Sequence, residues 1–183
     1  MSHADIAIIG AGIAGASLAY ALLARAPSLR LLILEAEDAP GHHTTGRSAA
    51  FYAETYGGPD VQPLTTASKA FFHRPPPGFS ETAILSPRGA LHVAHAEAVA
   101  ALDTLEAEFE AGLVACQRLG PEGIRAKAPW LRPEWATTAL WEPGCADIDV
   151  AALHQAYLRA ARRMGATQVN SARLEAAERI PAG

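Results

Sequence analysis

One stretch constrains this chain more than any other: Asp5-Ile-Ala-Ile-Ile-Gly-Ala-Gly-Ile-Ala-Gly15, with Glu35 closing the next apolar run. It predicts a β-strand, a glycine turn and the start of a helix, a shape suited to the pyrophosphate of a dinucleotide. Gly10 is expected to turn the backbone out of the strand where a Cβ would clash. Gly12 lets the main chain approach a diphosphate, and Gly15 lets the helix pack against the sheet. The N–H groups of Ile13 and Ala14, at the helix start, then face the phosphates. Glu35 follows Gly15 by about 20 residues, where a carboxylate accepts hydrogen bonds from ribose hydroxyls.

The flanks agree with this reading. Ile6, Ile8 and Ile9 form a β-branched run before the turn, and Leu18, Leu22 and Leu23 carry helical spacing after it. Leu31-Leu-Ile-Leu34 predicts a second buried strand. Ile6 to Leu23 is nearly uncharged, but its three clustered glycines and Tyr20 suit a soluble βα unit better than a membrane span.

The chain has 183 residues, enough for one compact domain or two small lobes. A net charge of −4 without a basic block argues against nucleic acid and polybasic membrane contact as partners. The N-terminus carries no secretory signature, and Cys116 and Cys145 read as free thiols in a reducing cytoplasm.

Further along, Val61 to Phe72 predicts a helix ended by Pro75-Pro-Pro-Gly78. Ile84 to Val93 is strand-like, interrupted at Ser86-Pro-Arg-Gly89. Glu97 to Ala111 predicts an amphipathic helix with Val99, Leu102, Leu105 and Phe109 inward. Pro121 to Pro143, rich in proline and tryptophan, reads as irregular or edge-like. Ala151 to Met164 predicts a helix capped by Asp149 and Gly165, which can deliver a third parallel strand near Val169. The fold class is α/β, with a Rossmann-like parallel sheet and part of an α+β second lobe.

The run Gly41-His-His-Thr-Thr-Gly-Arg-Ser-Ala-Ala50, followed by Tyr52 and Tyr56-Gly57, resembles the D-amino-acid oxidase superfamily of flavoproteins. Bacterial D-arginine dehydrogenase and glycine-oxidase-like proteins are the nearest in pattern. Phe71-Phe72, Ser86-Pro-Arg88, and Ala146-Asp-Ile-Asp149 through Arg159 extend the resemblance over essentially the whole chain. It implies FAD as cofactor, and oxidation of an amino acid's CH–NH bond by hydride transfer to flavin N5, with the imine hydrolysing afterwards. It places Thr44, Thr45, Gly46, Arg47, Ser48 and Ala50 along the flavin side, where Arg47 can pair with phosphate. A solvated surface loop is the alternative for Arg47. Tyr56 matches a tyrosine on a mobile loop that closes over substrate, made flexible by Gly57 and Gly58; the alternative is an ordinary packing tyrosine.

Residues 1–78 and 146–183 would build an incomplete FAD-binding lobe, and 79–145 would begin the substrate lobe. Two departures bear on substrate. Phe51 stands where D-arginine dehydrogenase has a histidine beside the flavin. Ala90, or Gly89 or Leu91 on a shifted alignment, stands where it has the acid that recognises a cationic side chain. A buried guanidinium without a carboxylate is severely penalised, so neutral or apolar D-amino acids are expected. The family's carboxylate-binding arginines fall beyond this sequence, which reads as the N-terminal portion of such an enzyme. A catalytically inactive dinucleotide-binding fragment, or one subunit of a split flavoenzyme whose other half is a second polypeptide, are the alternatives.

Seven histidines raise the question of metal, but His42 and His43 are adjacent and so point in different directions, and His92 and His95, if on a strand, face opposite sides. With no carboxylate or cysteine completing a set, no metal is expected. Ser48 and Ser86 lack a nucleophile elbow, which argues against a hydrolase.

Overall fold

The computed structural model describes residues 3–135 and 137–179. In chain order its strands and helices are β1 (Ile6–Ile9), α1 (Ile13–Arg25), β2 (Leu31–Leu34), β3 (Phe51–Tyr52), α2 (Gln62–His73), β4 (Leu85–Pro87) and β5 (Ala90–Ala94). There follow α3 (Val99–Ala111), β6 (Gln117–Leu119), α4 (Pro121–Lys127), β7 (Thr138–Glu142), β8 (Ala146–Ile148), α5 (Val150–Arg163) and β9 (Thr167–Val169). They form two compact units. The first takes the described residues through 49, residues 76–84, and those from 149 onward; the second takes 50–75 and 85–148.

In the first unit, β1, β2 and β9 make a parallel sheet in the order β1-β2-β9. Ile6 pairs with Leu31 and Ile9 with Leu34, while Leu32 pairs with Thr167 and Leu34 with Val169. The helix α5 therefore returns the chain to a third parallel strand, as the spacing predicts. Ala16, Ala19 and Leu23 make the buried face of α1 and join Ile8, Leu31, Ile33, Leu158 and Ala161 in one core. Full burial of Leu23, Ile33 and Leu158 contributes roughly 1.5–3 kcal/mol each relative to exposure. Asp149 caps α5 by accepting the Ala152 N–H at 2.8 Å, and Gly165 leaves the helix at φ +101°. Among the described residues β1 pairs with β2 alone, and its Ile9 is 54% exposed.

The second unit holds two antiparallel sheets, β3-β8-β4 and β5-β7-β6. Residues 50–75, which the sequence reading grouped with the cofactor lobe, cluster here because β3 pairs with β8. The expectation for 121–143 needs correction. Pro121 starts α4 at a position where the missing N–H costs nothing, and Pro133 starts a short 3-10 turn, Pro133–Trp135. Thr138–Glu142 is then a central strand: Ala139 and Leu140 are fully buried between β5 and β6. The prolines punctuate elements there instead of abolishing them. The break expected at Ser86–Gly89 narrows to two residues, because Ser86 and Pro87 pair with β8 inside β4; the Arg88 and Gly89 N–H groups, between β4 and β5, both donate to the Cys145 carbonyl. The helix predicted from Glu97 opens with a 3-10 turn, Ala96–Ala98, before α3, on which Leu102 and Phe109 are buried.

Glu142, at the end of β7, is only 1% exposed. Its carboxylate accepts from the Thr55 hydroxyl at 3.0 Å and meets His92 Nε2 at 3.1 Å. Burial alone would raise its pKa, but donation from His92, Thr55 and the Cys145 thiol more than offsets that and holds it below the ordinary value of 4.5. A depressed carboxyl stabilises the fold above the unfolded value, and that stability is lost as pH falls through the folded value. Urea unfolding at about pH 7 and about pH 3.5 should therefore show a larger acid loss for the wild type than for Glu142→Gln; equal losses contradict the assignment. Burial, with the same carboxylate, pushes the Cys145 thiol up to about 12, so it is inert as a nucleophile. No helix among the described residues is long and apolar enough to cross a membrane.

Candidate dinucleotide site

The site is built where β1 runs into α1. Gly10 turns out of the strand at φ +94°, and its N–H donates to the Leu34 carbonyl at 2.7 Å. A Cβ there would meet nothing within 4 Å, so the torsion, and not the clash expected from sequence, demands glycine. Gly15 is the sterically obligate position. A Cβ on it would lie 2.0 Å from the Gly10 carbonyl oxygen and 3.1 Å from Ile8 Cγ2.

The start of α1 carries no side-chain cap of its own and no acid in its first turn. Its first amides and dipole thus face no acid of the helix's own. Gly12 is the N-cap residue, and Ile13 donates its N–H to Thr45 Oγ1 at 3.0 Å. Thr45 sits in a 3-10 turn, Thr44–Arg47, closed by donation from the Gly46 N–H to the Gly41 carbonyl at 2.9 Å. A Cβ on Gly12 would come 3.2 Å from Thr45 Oγ1, so the two segments leave a narrow cleft.

Glu35 lies just past β2 and is only 8% exposed. Its carboxylate accepts the Ala11 N–H at 2.8 Å and the Glu37 N–H at 3.1 Å. Burial disfavours its charge, but donation from the Glu37, Ala11 and Ala36 amides, with His43 nearby, holds its pKa below 4.5. At neutral pH it is an acceptor only, complementary to hydroxyl donors. Gly10, Gly12, Glu35, Gly41, Thr44 and Thr45 wall one cavity of about 240 Å³, together with His42 and His43. That is below the roughly 300–1,000 Å³ of a complete small-molecule site, so the cavity has room for only part of a dinucleotide.

The site includes a residue that the sequence reading assigned no role. His154, buried on α5, holds the glycine turn from below: its Nε2 meets the Ala11 carbonyl at 2.6 Å. A carbonyl only accepts, so Nε2 carries the proton. Its ring also seats against Gly41, whose Cβ would lie 2.9 Å from His154 Cε1. The signal was present, as a histidine on the buried stripe between Leu153 and Ala156, but it named no partner 143 residues away. His154→Leu leaves the buried Ala11 carbonyl unpaired and should cost about 1–3 kcal/mol, read by urea unfolding. A loss below about 0.5 kcal/mol contradicts the bracing role.

The remaining sequence candidates are dispersed. Ala14 and Gly15 lie in the first turn of α1, with Ile13. Gly46 and Arg47 end the 3-10 turn, and Arg47 is exposed and outside the cavity walls. Ser48 follows it in extended backbone. Ala50 belongs to the second unit, at φ +57°, with its carbonyl accepting the Ile148 N–H at 2.7 Å. Tyr56 is also in the second unit, 79% exposed. The residues just before it are anchored, Glu54 by an ion pair with Lys69 and Thr55 by Glu142. Among the described residues no group of three or more histidine, cysteine or acidic side chains is placed to hold a metal.

Solved structures share this fold. Glycine oxidase from Bacillus cereus is 20% identical, with a TM-score of 0.77 over 92% of this chain and 46% of its own. L-alpha-glycerophosphate oxidase from Mycoplasma pneumoniae, with FAD bound, is 18% identical, with a TM-score of 0.82 over 93% of this chain and 45% of its own. Iminodiacetate oxidase from Chelativorans is 28% identical, with a TM-score of 0.68 over 90% of this chain and 46% of its own. The chain thus spans less than half the length of each. The sequence pattern of the FAD dependent oxidoreductase family matches residues 5–183. The chain belongs to that family, whose cofactor is FAD.

Proposed function

We propose that this chain supplies the adenosine-diphosphate grip of a flavoenzyme that oxidises the CH–NH bond of a neutral or apolar D-amino acid. The observation that carries the cofactor half is the start of α1, without a cap or acid of its own, walling one cavity with Glu35. Gly10, Gly12, Ile13, Ala14 and Gly15 would take the diphosphate, and Glu35 the adenosine ribose. Thr44, Thr45, Gly46, Arg47, Ser48 and Ala50 would follow the cofactor towards the flavin, whose bound form supplies the hydride acceptor. We assign the cofactor role to the first unit and the substrate role to the second, with Tyr56 as a substrate-loop residue.

The substrate preference rests on Phe51 and Ala90. Ala90 lies opposite Glu142 on β7, but that buried carboxylate is already engaged by Thr55 and His92. No spare acid is therefore supplied at that register for a cationic side chain. On the complete polypeptide that contains this sequence, D-leucine should exceed D-arginine in kcat/KM by about tenfold or more. A D-arginine preference would sink the substrate reading and leave the cofactor reading standing. We place the protein in the cytoplasm, on its two free cysteines.

A further inference from the structure

We propose that the second unit carries a binding site for a small carboxylate with an apolar or aromatic body, with Lys127 as its anion contact. The site is a cavity of about 570 Å³ beside β5 and β7, within the usual range for small organic ligands. Phe51, Leu91 and Trp141 supply apolar wall, and Trp130 stands at it 80% exposed.

Trp141 is held in place. A Cβ on Gly89, which sits at φ +77°, would lie 2.0 Å from Trp141 Cη2, so glycine backbone presses directly against the indole. The Lys127 ammonium lies over the same ring, 3.5 Å from its centroid. A second cation in the wall, Arg88, lies over Phe51 at 5.1 Å. Arg88 is already neutralised by Asp147 at 2.6 Å. Lys127 has no carboxylate within ion-pair distance among the described residues, and its ammonium rests on the indole face. A ring face orients an ammonium without cancelling its charge. The wall therefore presents apolar surface and one uncompensated positive charge, the complement of an arylacetate or alkyl carboxylate. An apolar amino acid belongs to that class, and to this extent the site, as a substrate site, rests on the function proposed above.

The test uses phenylacetate and its neutral isostere phenylacetamide, titrated into the 183-residue chain by calorimetry or ligand-observed NMR, without FAD. Phenylacetate should bind about three- to fivefold more tightly, a modest ratio because Lys127 is exposed and screened. Lys127→Met keeps the length of the side chain and should bring the ratio to about one, while Lys127→Arg keeps it. Raising salt should weaken phenylacetate and not phenylacetamide. Should Lys127→Met fail to fold, the salt arm and Lys127→Arg decide. Absence of binding, equal binding of the two probes, a ratio unaltered in Lys127→Met, or a salt-insensitive ratio overturns the proposal. Neither FAD nor turnover enters the measurement, so its failure leaves the cofactor reading untouched.

Discussion

Gly15→Ala is expected to lower the melting temperature by about 6–12 °C and to abolish FAD binding. The added methyl would sit 2.0 Å from the Gly10 carbonyl oxygen, and backbone has no rotamer by which to yield. Either α1 moves off the sheet or the turn reshapes, and both undo the cleft. Overpacking of this kind costs about 3 kcal/mol at its upper range. At roughly 2–4 °C per kcal/mol for a chain of this size, that gives the stated shift. Gly120→Ala is the control, since space there is open and φ is −87°. A Gly15→Ala melt within about 1 °C of wild type would show that the turn tolerates a side chain, and the packing argument would fail.

Glu35→Ala is expected to act on both stability and cofactor. It removes the acceptor of the Ala11 and Glu37 amides in a buried site, which should cost about 1–3 kcal/mol. It also removes the charged acceptor for a ribose, and FAD affinity should fall about 10- to 100-fold. Glu35→Gln keeps one acceptor oxygen and should retain part of both. Titration of flavin fluorescence reads the affinity and urea unfolding the stability. Unchanged affinity in Glu35→Ala would remove the ribose from the account while leaving its structural role intact.

The parts of this fold that were legible in the sequence are those whose cause is local. Ile6 to Gly15 declares strand, turn and helix because each requirement falls on a neighbouring residue. Asp149 and Gly165 mark the ends of α5 for the same reason. Thr45 was named from the resemblance, and the structure adds its partner, the Ile13 amide, which no spacing rule supplies. What the sequence concealed depends on distant partners. Residues 138–142 look irregular beside Pro133 and Pro143, yet pairing with β5 and β6 on both sides makes them a central strand. His154 reads as one more polar residue on a helix until the Ala11 carbonyl is placed above it. The reason assigned to Gly10 also changed, from crowding to torsion, because crowding is a property of neighbours that sequence does not place.

The proposed grip on the adenosine-diphosphate end of FAD runs through the Gly10–Gly15 turn and Glu35. Competition titration of the purified 183-residue chain with FAD, ADP and FMN tests it most directly. Weak FAD binding is expected, displaced by ADP and not by FMN, and lost in Gly15→Ala. FMN competing as well as ADP, or FAD binding unchanged in Gly15→Ala, would contradict it.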